Sequence, residues 1–205
     1  MKRALTIIMA AGFLVFYFFL GNVLQIQAEK NQQEISDAVL RLHVRANSDN
    51  GEDQRIKMAV KDAVVKEASN FENEMYDKRS AKEAMGRHTQ ALKAAAEDVL
   101  EAYEADYEVD IKIDREWFPR KAYGDISLPE GEYDAVVVEL GSAQGQNWWC
   151  VLFPKLCFIE PSYGCVPEES KETLKDSLSD EAYASVENTQ IKAGFKILQW
   201  LQNIL

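Results

Sequence analysis

The stretch "AVLRLHVRA", Ala38 to Ala46, constrains the fold more than any other part of this chain. Leu40, Leu42 and Val44 alternate there with Arg41, His43 and Arg45. Successive side chains of a strand point to opposite faces, so the pattern predicts a half-buried strand with its polar face toward solvent. Such a strand must pair with others and lay its apolar face on a second layer. The chain supplies the partners. "YEVDIKID" puts Tyr107, Val109, Ile111 and Ile113 on one face and acids with Lys112 on the other. "YGDISLPEGEYDAVVVELG" places a Pro-Glu-Gly turn before a strand from Tyr133 to Leu140. Gly141 to Gly145 form a turn, and "NWWCVLF" is a further strand stopped by Pro154.

The second layer comes from two helical stretches. Asn47, Ser48 and Asp49 are turn and N-cap residues, and Glu52 and Asp53 suit the positive end of the helix that follows. That helix runs to about Ser69, with Ile56, Val60, Ala63 and Val64 as its buried stripe. A second helix opens near Ser80, with Glu83 completing a capping box. Ala81, Met85, His88, Leu92, Ala95, Val99 and Tyr103 then recur at steps of three or four, which predicts one long amphipathic helix.

The expected fold is therefore α+β over residues 38–159, in the order β-α-α-β-β-β. It is a four-stranded antiparallel or mixed sheet with two helices on one face. Residues 160–186 are rich in Pro, Ser and acids and read as an exposed, partly disordered segment. Residues 187–205 read as a C-terminal amphipathic helix with Ile191, Phe195, Leu198 and Leu201 on one face.

The N-terminus has a different character. Lys2 and Arg3 precede an apolar run, Ala4 to Leu20, broken only by Thr6 and Gly12. This is the layout of a secretory signal, and it is nearly long enough to span a bilayer. Two readings stand. Residues 1–28 are a signal peptide cleaved after Ala28, where Ile26 is larger than the residue preferred at that position, or they are an anchor held in the membrane through residues 4–24. Both place the rest of the chain outside the cytoplasm. Residues 29–37, "EKNQQEISD", read as a polar linker. The formal net charge is −11, and losing residues 1–28 removes two cations and no acid. An acidic balance argues against nucleic acid as a partner and against adhesion to an anionic membrane face.

Candidate chemistry centres on three cysteines, Cys150, Cys157 and Cys165, and two histidines. A cysteine nucleophile needs a base, and His43, with Asn47 and Asp49 beyond it, is better placed than His88 on an apolar helix stripe. Cys150 with His43 is thus the enzyme reading, an extracytoplasmic hydrolase. Outside the cytosol, however, Cys150 has a partner in Cys157. Pro154 bends the chain between them, and a small disulfide loop is favoured. Cys165 is left over, or competes for Cys157. The spacing C-x6-C-x7-C matches no zinc pattern, and "DNGED" lacks the ladder of calcium ligands. No phosphate- or dinucleotide-binding motif is present, so no metal and no cofactor is expected. Trp148 and Trp149 must point to opposite faces; one enters the core, and the C-terminal helix, the tail or a partner covers the other.

Two stretches together resemble the stage II sporulation protein R family. They are "RLHVRANSDNGEDQRIKMAVKDAVV", Arg41 to Val65, and "YGDISLPEGEYDAVVVELGSAQGQNWWCVLFPKLCF", Tyr123 to Phe158, behind a hydrophobic leader. The combination of His43, Ala46, Asn47, Ser48 and Asp49 with the N-W-W-C and C-F elements carries the resemblance. Arg45, where the family usually has an apolar residue, and Lys155, where a second proline is common, depart from it. The resemblance implies an exported signal of endospore formers. It would be made in the forespore and act in the space between forespore and mother-cell membranes. There it would activate a membrane-embedded aspartic protease of the mother cell, which processes the precursor of the early mother-cell sigma factor. It implies no catalytic residues. The expected receptor contact is the polar edge of His43, Asn47 and Asp49, with Gln146, Asn147 and the outward-facing member of the pair Trp148 and Trp149.

Overall fold

The alternating strand lies at the centre of the molecule. In the computed structural model, which describes residues 2–157 and 166–187, β1 (Leu40–Arg45) is flanked by β5 (Gly131–Leu140) and β6 (Asn147–Phe153), with β2 (Val109–Phe118) outside β5. β1 runs parallel to β5 and antiparallel to β6, and β5 runs antiparallel to β2. The fold is α+β with a four-stranded mixed sheet, as the periodicity predicts. A separate two-stranded hairpin, β3 (Lys121–Tyr123) and β4 (Ile126–Leu128), is not expected from the sequence. Strands of three residues are too short to show a period.

Helices pack on one face. α2 (Gly51–Ser69) buries Ile56, Val60, Val64, Val65 and Ala68, and Asn50 caps it by accepting from the Asp53 backbone N–H at 2.7 Å. The single long helix expected after it is two: α3 (Lys78–Arg87) and α4 (Thr89–Ala102). Asp77, not Ser80, is the cap of α3, with the Ser80 side chain completing the box. The break falls at His88. Thr89 Oγ1 bonds back to Met85 O at 2.9 Å, a contact that bends helices. The His88 ring stacks flat on Phe71, 3.6 Å between centroids, and Nε2 meets Glu74 at 3.0 Å. Under these helices lie Leu40, Leu42 and Val44 of β1, Val136 and Val138 of β5, and Val109 and Ile111 of β2, all buried.

The other face departs from expectation. Arg41 is fully buried and His43 nearly so, because the β3–β4 hairpin and neighbouring aromatics cover this side of β1. Arg41 Nη2 donates to the Tyr123 hydroxyl at 2.7 Å, and its guanidinium sits 4.2 Å from the Phe118 ring centre and 4.8 Å from that of Tyr133. Burial pushes the Tyr133 hydroxyl up to about 12, and that of Tyr123 upward as well, so neither offers a negative charge. Alternation shows which residues share a face; it does not show whether that face meets water.

α1 (Lys2–Ala38) is one helix, so residues 29–37, expected as a linker, continue it. Its end docks: Ile35 and Ala38 are buried, Lys78 Nζ donates to Ser36 O at 2.9 Å, and Ser179 donates to Glu34. From Met9 to Ile26 its large apolar side chains are exposed, Phe18 by 75%. Among the described residues no helix is long and apolar enough to cross a membrane, and the first side chains of the Ala4–Leu20 run lie outside that set. The segment 160–186, expected as exposed and partly disordered, holds α5 (Glu168–Asp176) and α6 (Asp180–Val186). Leu174, Ala182 and Val186 are buried there, with Leu178 packed beside them, a four-residue repeat hidden among acids. The helix expected beyond Glu187 lies outside the described residues, as does Cys165.

Candidate functional site

The loop after β1 is a hydrogen-bonded hub. Asp53 is buried, and its carboxylate accepts from Ser48 Oγ at 2.5 Å, Asn47 Nδ2 at 3.0 Å, Asn50 Nδ2 at 2.9 Å and Tyr107 Oη at 3.0 Å. Burial alone would raise its pKa; these four donors outweigh it and hold the carboxyl below its ordinary value. The same carboxylate pushes the Tyr107 hydroxyl upward, after burial has done so first. Asn47 also accepts from Ser142 N at 2.9 Å, and Asp49 accepts from Gln146 N at 2.7 Å. Buried Lys57 donates to Gln146 O at 3.1 Å. The β1–α2 and β5–β6 loops are thereby stitched together. Gly145 is required at the seam, where a Cβ would lie 2.2 Å from Ser48 O. Asn47 and Asp49, expected as receptor contacts, use side-chain oxygens to hold this seam, Asn47 half-buried and Asp49 exposed. Gln146 and Asn147 are exposed.

Beside the hub, His43 is held on both ring nitrogens. Nδ1 lies 2.5 Å from Glu116 Oε2, and Nε2 lies 2.8 Å from Asn147 Oδ1. Glu116 also accepts from Arg45 Nη2 at 2.7 Å, and Arg45 Nη1 donates to Glu139 at 2.5 Å. Glu139 takes Lys112 Nζ at 3.1 Å. The ladder explains the row: Glu116 and Tyr133 are opposed across β2 and β5, and Arg45 stands opposite Glu139. Sequence reading misses Glu116 and Glu139 because nothing local marks which strands become neighbours.

The tryptophans divide as alternation requires. Trp148 turns toward the helices, with Lys61 Nζ 5.3 Å from its ring centre; Trp149 lies on the other side, 5.8 Å from the His43 ring. Both are half-buried and packed against the core. Cys150 is opposed to Leu42 and His43 to Trp149, which puts the sulfur and the imidazole on opposite faces of the sheet. Cys150 is buried and bonded to Cys157, Cα atoms 5.3 Å apart. A Cys150–His43 catalytic pair therefore does not form.

The family model described as stage II sporulation protein R matches residues 36–163. This chain belongs to that family. The stage II sporulation protein R of Bacillus subtilis (strain 168) is 31% identical over 196 residues, 94% of this chain and 87% of that protein. No solved structure matches. The chain is thus a sporulation protein, and the matched region spans the sheet, its helices and the hub. The family resemblance rests on stretches in which Asn47, Ser48 and Asp49 tie loops together and Trp148 packs against the core. Other exposed groups lie outside these stretches. Tyr76 is 81% exposed beside a cleft of about 430 Å³ lined by Met75, Phe153, Pro154 and Lys155. Trp117 is 58% exposed on the outer strand β2. Among the described residues no group of acids, histidines and cysteines could hold a metal.

Proposed function

We propose that this chain is an exported signal that acts by contact. It is made in the forespore and reaches the space between the forespore and mother-cell membranes, as a cleaved product or anchored through residues 4–24. There it triggers a membrane-embedded aspartic protease of the mother cell, which processes the precursor of the early mother-cell sigma factor. Family membership supports the sporulation setting. The apolar side chains of α1, exposed from Phe13 to Leu20 ahead of an acidic domain, support export or anchoring. The observation that carries the signalling reading is that both candidate catalytic groups are spent: Cys150 in a disulfide, His43 between Glu116 and Asn147.

The receptor contact then falls on exposed groups. Two patches are in reach: Gln146 with Asn147 at the end of β6, and Tyr76 at the cleft. Alanine at each patch, scored by cleavage of the sigma-factor precursor and by accumulation of the protein, tests the reading. Loss of cleavage at normal accumulation is the expected result for at least one patch. Full cleavage with both patches removed together contradicts it.

A further inference from the structure

The outer edge of β2 is the longest strand edge without a neighbouring strand among the described residues. β2 is ten residues long and terminal in the sheet order. Gly141 N donates to Glu108 O at 2.9 Å, and Val109 stands opposite Leu140. In an antiparallel ladder the bonded pairs alternate, so the even-numbered residues of β2 bond to β5. The N–H and C=O groups of Val109, Ile111, Ile113, Arg115 and Trp117 therefore point away from the sheet. Asp114, Arg115 and Trp117 are exposed, on both faces of this edge.

We infer that this edge pairs with the same edge of a second copy of the chain, antiparallel, about a two-fold axis through Ile113. Charge and overlap together choose the register. Centring the axis on Ile113 sets Lys112 opposite the partner's Asp114 and Asp114 opposite the partner's Lys112. It also sets Val109 opposite the partner's Trp117. Moving the axis to Lys112 puts two lysines together, and moving it to Asp114 puts two aspartates together; like charges directly opposed destabilise a ladder. The Ile113 register also overlaps the strands from 109 to 117. It forms about ten backbone hydrogen bonds and joins two four-stranded sheets into one. Asp110 meets the partner's Glu116, whose charge is already engaged by Arg45 and His43. Asp114 has no ion pair of its own; its Oδ1 accepts only the backbone N–H of Arg115. Burying the edge removes the exposed Trp117 and the row of open backbone groups, which is a liability in an isolated sheet.

The test uses the full chain in mild detergent. Lys112→Cys and Asp114→Cys variants are mixed and oxidised, and the wild-type chain, which carries Cys165, sets the background. Opposed positions bring sulfurs within bonding range; identical positions sit on the diagonal, too far apart. The expected result is a disulfide-linked dimer from the mixture that neither variant forms alone. Arg115→Pro removes an outward N–H without touching the β2–β5 ladder, and adding it to both variants abolishes the dimer while the far-ultraviolet circular dichroism is unchanged. A second arm needs no proline. Asp114→Lys lowers self-association in sedimentation, and mixing it with Lys112→Asp restores it. A mixture that links no better than the single variants overturns the inference. So does an Asp114→Lys chain that sediments as the wild type does, since the charges on β2 then only guard the edge.

Discussion

The two faces of the central sheet are built on different principles. On the helix side, Leu40, Leu42, Val44, Val136 and Val138 form a dry layer under α2, α3 and α4. On the hairpin side the same sheet presents Arg41, His43, Arg45, Glu116 and Glu139. The first face is non-directional: any well-fitting apolar set would stabilise it. The second face is directional. Each nitrogen of His43 and each arm of Arg45 has one partner, and Arg41 is buried among aromatic rings with two of its nitrogens unpartnered. A buried cation without a carboxylate costs stability. The contrast teaches that stability resides under the helices, while the polar face fixes strand neighbours and register.

Substitutions break or sharpen this contrast in order of size. Leu42→Ala, on the dry face, should cost about 3 kcal/mol of unfolding free energy in a urea titration, from the lost apolar contact and the cavity left behind. Replacing Cys150 and Cys157 together by alanine should cost about 2.5 kcal/mol, the loop entropy of a short disulfide. Asp53→Asn keeps the shape of the hub but removes its charge. It should cost about 2 kcal/mol, because four donors lose a charged acceptor. The same group gives the hub a pH dependence. Its folded pKa lies below the ordinary carboxylate value, so its contribution is complete above about pH 4 and is lost as pH falls through the lower folded value. Acid titration of stability should therefore be shallower for Asp53→Asn than for the wild type. Arg41→Met is the smallest expected change. Exchanging an unpaired buried cation for an apolar chain of similar length should shift stability by less than about 1 kcal/mol, or raise it. A loss as large as that of Leu42→Ala would show that both faces carry the fold equally.

Much of this was legible in the sequence. The four sheet strands and α2 follow from period and capping, and the Cys150–Cys157 link agrees with the pairing expected from spacing and the proposed export. The disagreements share one cause, which is that local pattern does not report what packs on top. Arg41, His43 and Arg45 alternate like a solvent face, yet a hairpin from residues 121–128 covers part of it. Asn47 and Asp49 read as turn residues and proved to be so, but their convergence with Tyr107 on Asp53 joins positions far apart in the chain. His88 reads as one more rung of a long stripe, whereas its stacking on Phe71 marks the joint between two helices. Leu174, Leu178, Ala182 and Val186 keep a helical step that the surrounding acids obscured.

The central claim is that the domain signals through its surface and not through catalysis. Cleavage of the sigma-factor precursor should be measured in sporulating cells carrying His43→Gln, or carrying Cys150→Ala with Cys157→Ala, alongside the amount of each protein that accumulates. The account predicts that cleavage tracks accumulation for both variants. Either variant accumulating at the wild-type level with cleavage abolished would contradict it.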